Sequence, residues 1–147
     1  MSEIVVRIGT IAEAVTVFAG ISELDAGIDA EMIRLRLGHQ PALILVAEYQ
    51  QRVVGVKIGY ALSEQVFYSW LGGVLVCGRG LGVAQKLLEA QQAWVIAQSS
   101  YTTINVKSRN CFPAMVRLLF RNGYVIENME KKGQLSDYRL CFTKTIK

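Results

Sequence analysis

The residues best suited to chemistry lie in a glycine-rich turn over residues 79–84, directly before the longest predicted helix. The N–H groups at a helix start have no partner within the helix, and the helix dipole adds partial positive charge there. Such a turn suits a phosphate anion. Gly80, Gly82 and Ala84 leave room for the anion, and Arg79 can add positive charge. The same pattern also fits a helix start made tight for packing alone.

The turn does not match the two best-known phosphate-binding motifs. A P-loop needs a Gly-Lys-Ser/Thr run, which is absent here. The dinucleotide fingerprint G-x-G-x-x-G fails because Val83 or Gln85 stands where the third glycine is needed. The turn also follows the fourth predicted strand, whereas that fingerprint follows the first.

A pair of glycines, Gly72 and Gly73, interrupts an otherwise strong apolar strand over residues 66–76. Glycine weakens a strand, so the pair indicates a β-bulge or a close approach by another group. A bulge at this point would also open a gap in the sheet. The mostly apolar sequence predicts that the strand is buried on both faces.

Apolar residues at helical spacing predict four helices. The first begins at Thr10, which forms a capping box with Glu13. The second covers residues 28–37 and ends at Gly38. Its predicted buried face comprises Ile28, Met32 and Leu35. The third and fourth helices cover residues 82–98 and 113–122.

Seven strands complete the predicted element order, β-α-α-β-β-β-α-β-α-β-β. They cover residues 4–8, 42–49, 53–62, 66–76, 102–107, 124–129 and 138–143. Antiparallel hairpins come first and strand–helix–strand crossovers come later. With no repeat or linker, the chain is predicted to form a single domain over residues 1–147. Its class is α/β, with one mixed sheet and helices on the faces of the sheet.

The sequence resembles the GNAT superfamily of acyl-CoA-dependent N-acyltransferases. The family signature Gln/Arg-x-x-Gly-x-Gly/Ala is met by Arg79-Gly80-Leu81-Gly82-Val83-Ala84. The segment that runs from Asn110 to the Gly123-Tyr124 pair is similar to the family's Asn…helix…Gly-Phe block. The predicted element order is also similar to that of the family. The resemblance therefore covers nearly the whole chain and implies a GNAT-like fold.

The resemblance implies that acetyl-CoA, without a metal, lies in a V-shaped gap between the glycine-pair strand and the next parallel strand. Backbone groups of Gly72, Gly73 and Val74 would hold the pantetheine arm, with the Val74 N–H facing the thioester oxygen. Asn110 would contact the pantetheine or the adenine. The pyrophosphate would bind the N–H groups of Arg79, Gly80, Leu81, Gly82, Val83 and Ala84.

The implied activity is that of an N-acetyltransferase in which a primary amine of a small molecule or protein attacks the thioester directly. Two usual residues are missing: the strand over residues 66–76 holds no Glu, and Leu119 stands where many relatives carry an acid Tyr. Glu64 is the candidate base, with Glu48 as a second choice. The candidate acids are Tyr68, Ser108, Tyr124 and Tyr138. A non-catalytic acyl-CoA-binding or regulatory module on the same fold remains the alternative.

Composition narrows the remaining classes of function. The 147 residues are 52% apolar and carry a net charge of +4, which excludes a disordered chain. The longest apolar run, residues 70–78, is far shorter than the roughly 20 residues that a membrane span needs. We therefore expect a cytoplasmic protein that does not bind a membrane. The basic residues are not clustered, so they suit a polyanionic small ligand and do not indicate nucleic acid.

Several further residues carry weaker expectations. The three cysteines, an odd number at wide spacing, are expected to be free buried thiols. The only histidine, His39, is expected in a surface loop. Four acidic residues lie in the region where relatives shape the acceptor pocket: Glu23, Asp25, Asp29 and Glu31. They either favour a cationic amine as the acceptor or form a solvated helix face. The resemblance also allows a homodimer, since many relatives form one.

Overall fold

The computed structural model describes residues 3–22, 24 and 27–147. The element order is the predicted one, and helix and strand ends differ from the predicted ends by at most two residues. The strands are β1 (Val5–Ile8), β2 (Ala42–Tyr49), β3 (Arg52–Ala61), β4 (Val66–Val74), β5 (Thr103–Arg109), β6 (Val125–Glu130) and β7 (Arg139–Thr145). The helices are α1 (Ile11–Ala19), α2 (Ala30–Leu37), α3 (Val83–Ala97) and α4 (Pro113–Arg121).

The strands form one mixed sheet in the order β1-β2-β3-β4-β5-β7-β6. Only β4 and β5 run parallel, and every other neighbouring pair is antiparallel. The crossover from β4 to β5 passes through α3, as a parallel pair requires. The predicted α/β class and mixed sheet are therefore confirmed.

The sheet separates two hydrophobic cores. Helices α1 and α2 bury Ala14, Val17, Phe18, Ile33 and Leu37 against one face. Helices α3 and α4 bury Val83, Leu87, Leu88, Val95, Leu118 and Leu119 against the other. A side chain on β3 or β4 consequently reaches one of two distinct environments, depending on the face to which it points.

The start of α1 is fixed by polar contacts that the sequence predicted in part. Thr10 accepts a hydrogen bond from the Glu13 N–H, and the Glu13 carboxylate accepts one from the Thr10 N–H, which confirms the capping box. Arg7 on β1 binds the same Glu13 carboxylate at 2.6 Å and also binds Glu48 on β2. This cluster joins β1, β2 and α1, and it engages Glu48 in a structural contact.

The predicted buried face of α2 is wrong in part. The helix begins with Asp29 as its N-cap and buries Ile33 and Leu37, whereas Leu35 is 73% exposed. Apolar residues occur around most of this short helix, so periodicity alone does not select a face. Packing against α1 and the sheet selects the residue pair that is four positions apart.

Among the described helices, none is long and apolar enough to cross a membrane.

The irregularity predicted at the glycine pair lies two residues earlier. Ile58 pairs with Leu71 and Gly59 pairs with Ser69, so Trp70 is the extra, bulged residue of β4. Gly72 and Gly73 pair regularly with β3. The alternative expectation, a close approach, holds at Gly73, where an added Cβ would lie 2.4 Å from Cδ1 of Ile21.

We expect Gly59→Ala to destabilise the fold by about 1–3 kcal/mol through overpacking beside the bulge. A Cβ at Gly59 would lie 2.4 Å from the Phe67 ring and 2.8 Å from the Tyr68 carbonyl oxygen. Gly72→Ala is the matched control, since its Cβ would come no closer than 3.5 Å to any neighbour, the Val56 oxygen being nearest. Urea unfolding compares the two, and equal free energies of unfolding would contradict this packing.

Candidate functional site

The sheet opens between β4 and β5. The two strands pair only from Val66 with Thr103 to Ser69 with Val106. Beyond that point, residues 70–74 of β4 and 107–109 of β5 do not pair with each other, and β5 stays paired with β7. We call the resulting opening the β4–β5 gap. The expectation that β4 is buried on both faces is wrong here, because residues 70–74 are only half-buried.

The backbone of β4 presents alternate amides to this gap. The Leu75 N–H donates to the Val54 carbonyl of β3 at 2.7 Å. Along an antiparallel strand, successive residues direct their backbone groups alternately toward and away from the partner strand. The groups of Gly73 therefore also point to β3, whereas those of Gly72 and Val74 point away from it, into the gap. The Val74 carbonyl accepts a hydrogen bond from Nε of Arg79 at 3.1 Å, which agrees with this direction.

The glycine-rich turn lies directly beyond the end of β4 and leads into α3. Gly80 and Gly82 adopt φ values of +77° and +83°, a left-handed conformation that favours glycine. A Cβ at either position would have no neighbour within 4 Å, so the space before the helix is open. Gly82 is the N-cap, and no side chain caps the helix there. The first N–H groups of α3 therefore face open space, an arrangement that suits an anion.

Asn110 lies at the other side of the gap, directly after β5. Its side-chain Nδ2 donates to the Leu135 carbonyl at 3.2 Å, and its backbone N–H donates to the Tyr138 carbonyl at 2.8 Å. Asn110 is exposed. In this arrangement its side chain is bonded to the turn that precedes β7.

A buried lysine, which the sequence reading missed, lies beside the glycine pair. Lys57 on β3 is the register partner of Gly72 and is only 7% exposed. Its Cγ and Nζ lie 3.8 and 3.9 Å from the position that a Cβ of Gly72 would take. Gly55, two residues before Lys57, faces Val83 and Leu87 of α3, so Lys57 points to the same side of the sheet.

Burial sets the protonation behaviour of this lysine. Loss of solvent lowers the pKa of Lys57 from 10.5 to about 8, with no charged group contributing. Within residues 3–22, 24 and 27–147 the Lys57 amine has no hydrogen bond or ion pair, and its Nζ keeps a small solvent-accessible surface. A lysine in the middle of an apolar strand, in the run Val-Lys-Ile, was the available signal in the sequence.

A second polar side chain is buried on the same side of the sheet. Gln91 of α3 has no exposed surface, and both its Nε2 and Oε1 atoms lack a hydrogen-bond partner among the described residues. It follows Leu87 by one helical turn on the inner face of α3. The inner face of α3 was predicted from its apolar residues, so this glutamine was also missed.

The candidate bases lie away from the gap. Glu64 is exposed in the turn that precedes β4, about 25 Å along the strand from Gly72 at roughly 3.3 Å per residue. Glu48 binds Arg7 at the far side of the sheet. Neither carboxylate therefore lines the half of β4 that borders the gap.

The candidate acids differ in their surroundings. Leu119, which stands where many relatives carry an acid Tyr, is fully buried. Tyr124 is also buried, and burial raises its pKa well above its ordinary value. Tyr68 points to the α1–α2 side, where its ring lies 5.5 Å from that of Tyr60. Burial raises its pKa also. Ser108 on β5 is buried, and its hydroxyl donates weakly to the Arg109 carbonyl at 3.4 Å. Tyr138, in the turn before β7, is half-buried.

The described acidic residues near α2 have local partners. Asp29 accepts a hydrogen bond from the Met32 N–H at 2.9 Å as the helix N-cap. Glu31 pairs with Arg34 at 3.1 Å. Glu23 and Asp25, the other two acids of that group, lie outside the described residues. A helix-face role therefore accounts for the two that are described.

The cysteines and the histidine carry no clear chemistry in this arrangement. Cys141 is buried as expected, but Cys77 and Cys111 are exposed, so the expectation of buried thiols is wrong for those two. They lie in the short turns after β4 and β5, which end at the surface. His39 is exposed after α2, as predicted. The described residues include no group of three metal-binding side chains.

Comparison with known proteins gives matches in structure only, since no protein-family model and no curated protein matches the sequence. The ribosomal-protein-S18-alanine N-acetyltransferase from Escherichia coli has a TM-score of 0.84 and 10% identity, over 98% of this chain and 94% of that one. An acetyltransferase of the GNAT family from Streptococcus pneumoniae has a TM-score of 0.80 and 17% identity, over 99% and 100% of the two chains. A GNAT family acetyltransferase from Elizabethkingia anophelis with acetyl-CoA bound has a TM-score of 0.73 and 14% identity, over 97% and 98%.

These likenesses cover almost the whole of each chain and confirm the predicted fold. The protein has the fold of the GNAT acetyltransferases, with a seven-stranded mixed sheet that parts between its fourth and fifth strands.

We expect Lys57→Met to stabilise the protein at pH 7, because it removes the cost of burying an ammonium group. The pKa of Lys57 is lower in the folded chain than in the unfolded one, so between pH 8 and 10.5 the unfolded chain binds more protons. The wild-type free energy of unfolding therefore rises across that window, and the full cost is present below it. The advantage of the variant is on the order of 3 kcal/mol at pH 7 and vanishes above pH 10.5.

Urea unfolding at a series of pH values measures this difference. Lys132→Met serves as the control, since Lys132 is exposed in the turn before β7 and its loss removes no buried charge. An advantage of Lys57→Met that is constant from pH 7 to 10.5 would contradict a buried, titrating ammonium group.

Proposed function

We propose that this protein is an acetyl-CoA-dependent N-acetyltransferase that acts on a primary amine of a small molecule or protein. One observation carries the proposal: the amides of Gly72 and Val74 point into the β4–β5 gap, where β5 no longer pairs with β4. A buried or half-buried amide needs a hydrogen-bond partner. The pantetheine arm, which contains two amide groups, supplies such partners in the manner of an added strand.

The turn before α3 supports the same ligand. It lies directly after the gap-lining part of β4, and its open N–H groups suit the pyrophosphate of coenzyme A. The proposed contacts are those of Arg79, Gly80, Leu81, Gly82, Val83 and Ala84. Asn110 is the proposed contact on the β5 side. Arg79 is held at the gap by its bond to the Val74 carbonyl, so it adds positive charge there.

The proposed reaction is direct attack of a neutral amine on the thioester while both substrates are bound. The Val74 N–H, aimed into the gap, stabilises the negative charge that develops on the thioester oxygen. Neither Glu64 nor Glu48 serves as the base in this proposal, so the amine loses its proton to solvent water before attack. Holding the two reactants in line removes much of the entropic barrier.

The acceptor would approach from the α1–α2 side of the sheet. Tyr60, Tyr68 and Trp70 form an aromatic cluster on that side, with ring centroids 5.5 and 6.0 Å apart, and the Arg36 guanidinium lies 4.7 Å above the Trp70 ring. Trp70 is the bulged residue at the mouth of the gap. Aromatic rings with polar edges at this place suit a flat or apolar part of an acceptor.

We expect acetyl-CoA to raise the melting temperature of the wild type and to leave that of Gly82→Glu unchanged. Ligand at 100 times its Kd stabilises a protein by about 2.7 kcal/mol. A carboxylate at Gly82 repels the pyrophosphate and fills the space before α3. Gly38→Glu is the matched control, since Gly38 is also a positive-φ glycine but lies after α2. A thermal-shift assay compares them, and an equal shift in both variants would contradict this placement.

We expect Val74→Pro to lower kcat about 10²- to 10³-fold, because proline removes the N–H that faces the developing charge. That N–H does not bond to β3, so the sheet loses no ladder bond. Val74→Ala keeps the N–H and should retain near wild-type activity. The assay follows thiol release from acetyl-CoA across a panel of amines. If the wild type binds acetyl-CoA but acetylates no amine in a broad panel, the non-catalytic binding module is the better description.

A further inference from the structure

We propose that Lys57 is the proton donor to the departing sulfur in acetyl transfer, because its amine lies beside the gap-lining residue Gly72 with no hydrogen-bond partner in the described part of the chain. This inference rests on the proposed function and names, as the source of that proton, a side chain that was not among the sequence candidates Tyr68, Ser108, Tyr124 and Tyr138. The core on the α3 side of the sheet is largely apolar, and Leu119 of α4 is fully buried in it.

The position of Lys57 follows from the pairing of β3 and β4. Lys57 and Gly72 are register partners, and Gly72 has no side chain to block the lysine. The lysine therefore lies over Gly72, with Nζ 3.9 Å from where a Cβ would be. Val74 points its N–H into the same gap about 7 Å further along β4. The proposal places the thioester oxygen at the Val74 N–H and the sulfur on the Gly72 side of that oxygen, within reach of the Lys57 amine.

The lack of a partner at Lys57 favours a role toward a ligand. A buried amine without a hydrogen bond is costly, and such groups in native proteins call for an explanation. Within the described part of the chain, neither a carboxylate nor any other titratable side chain contributes to the electrostatic environment of Lys57. Gly72 of β4 is its register partner, and Gly55, two residues earlier on β3, faces Val83 and Leu87 of α3 on the same side of the sheet. A structural ion pair is thereby excluded as the reason for this lysine.

The acidity of Lys57 suits proton transfer to a thiolate. Burial lowers its pKa to about 8, and an ordinary alkyl thiol has a pKa of about 8.5. Near-equal values let the proton move with little free-energy change in either direction. At pH 7 the lysine is mostly protonated, so it acts as an acid and as a positive charge beside the sulfur. It does not act as the base that activates the amine.

The step balances without another reactant. The lone pair of the acceptor nitrogen forms the C–N bond to the acetyl carbon, and the C–S bond breaks with its electron pair moving to sulfur. Nζ of Lys57 gives one proton to that sulfur and becomes a neutral amine. The acetylated nitrogen loses one proton to water, and Lys57 regains one from water. The products are the N-acetylated amine and the free thiol of coenzyme A.

Steady-state kinetics of Lys57→Met provide the first test. We expect kcat to fall about 100-fold, with the KM for acetyl-CoA changed less than twofold, because the loss of a general acid affects the chemical step. Lys132→Met, which removes an exposed ammonium group and leaves Lys57 in place, should keep wild-type kcat. An unchanged kcat in Lys57→Met would overturn the proposal.

A binding measurement on the wild type gives a readout that does not depend on turnover. Selective ¹³C labelling of lysine side chains allows the pKa of Lys57 to be followed by NMR with coenzyme A or with desulfo-coenzyme A, which lacks the sulfur. A thiolate beside the ammonium group raises the pKa of Lys57, by about one unit or more, and desulfo-coenzyme A does not. The signal of Lys57 is identified by its absence in Lys57→Met or, should that variant not fold, in Lys57→Arg. Equal lysine pKa values with the two ligands would overturn the proposal.

The outcomes separate this inference from the function on which it rests. A wild type that neither binds coenzyme A nor acetylates an amine refutes the proposed function. A wild type that binds coenzyme A and acetylates an amine, but whose Lys57 pKa is the same with coenzyme A and with desulfo-coenzyme A, refutes only the role of Lys57. A loss of kcat together with a sulfur-dependent pKa supports both.

Discussion

The parting of β4 from β5 is the constraint on which the rest of this structure depends. Parallel pairing stops after Ser69 and Val106, although both strands continue. Backbone amides are obligatory hydrogen-bonding groups, so the exposed edge of β4 needs either water or a strand-like ligand. The bulge at Trp70 begins where the pairing ends, and a bulge adds local twist that turns the strand away from its neighbour. The opening is thus a property of the sheet backbone.

A site built from backbone groups tolerates wide changes in sequence. The N–H groups of β4 and of the start of α3 require strand geometry, helix geometry and a few glycines, and they leave most side chains free. The chain shares its fold with proteins that are only 10% and 17% identical to it, which is compatible with a site built in this way.

The α3 side of the sheet carries the polar groups that packing alone does not explain. Lys57 and Gln91 are buried on this side of the sheet, where Val83, Leu87 and Leu88 of α3 form part of the apolar core. Each reduces stability, since an unpaired buried polar group loses its hydration without compensation. Natural proteins retain such groups where function needs them. Lys57 is costly to bury and also lies beside the gap. Gln91 lies on α3 one helical turn after Leu87, and no role is assigned to it.

Much of the fold and part of the site could be predicted from the sequence. Element order, the capping box at Thr10 and the turn before α3 follow from local rules, because caps, periodicity and glycine positions act over a few residues. The buried face of α2 could not be obtained this way, since Leu35 and Leu37 are equally apolar and only packing against α1 and the sheet distinguishes them. The place of the bulge depends on the register between β3 and β4, which is a relation between two strands.

The sequence by itself determined the order of elements and the glycines that make room for an anion, because both are encoded locally. Only the tertiary structure decided that Gly72 and Val74, and not Gly73, face the gap, because that choice follows from strand alternation against β3. Tertiary structure also brought Lys57 to Gly72 and left Glu64 at the opposite end of β4. Such distances arise when separate strands pair, and no local pattern in the chain encodes them.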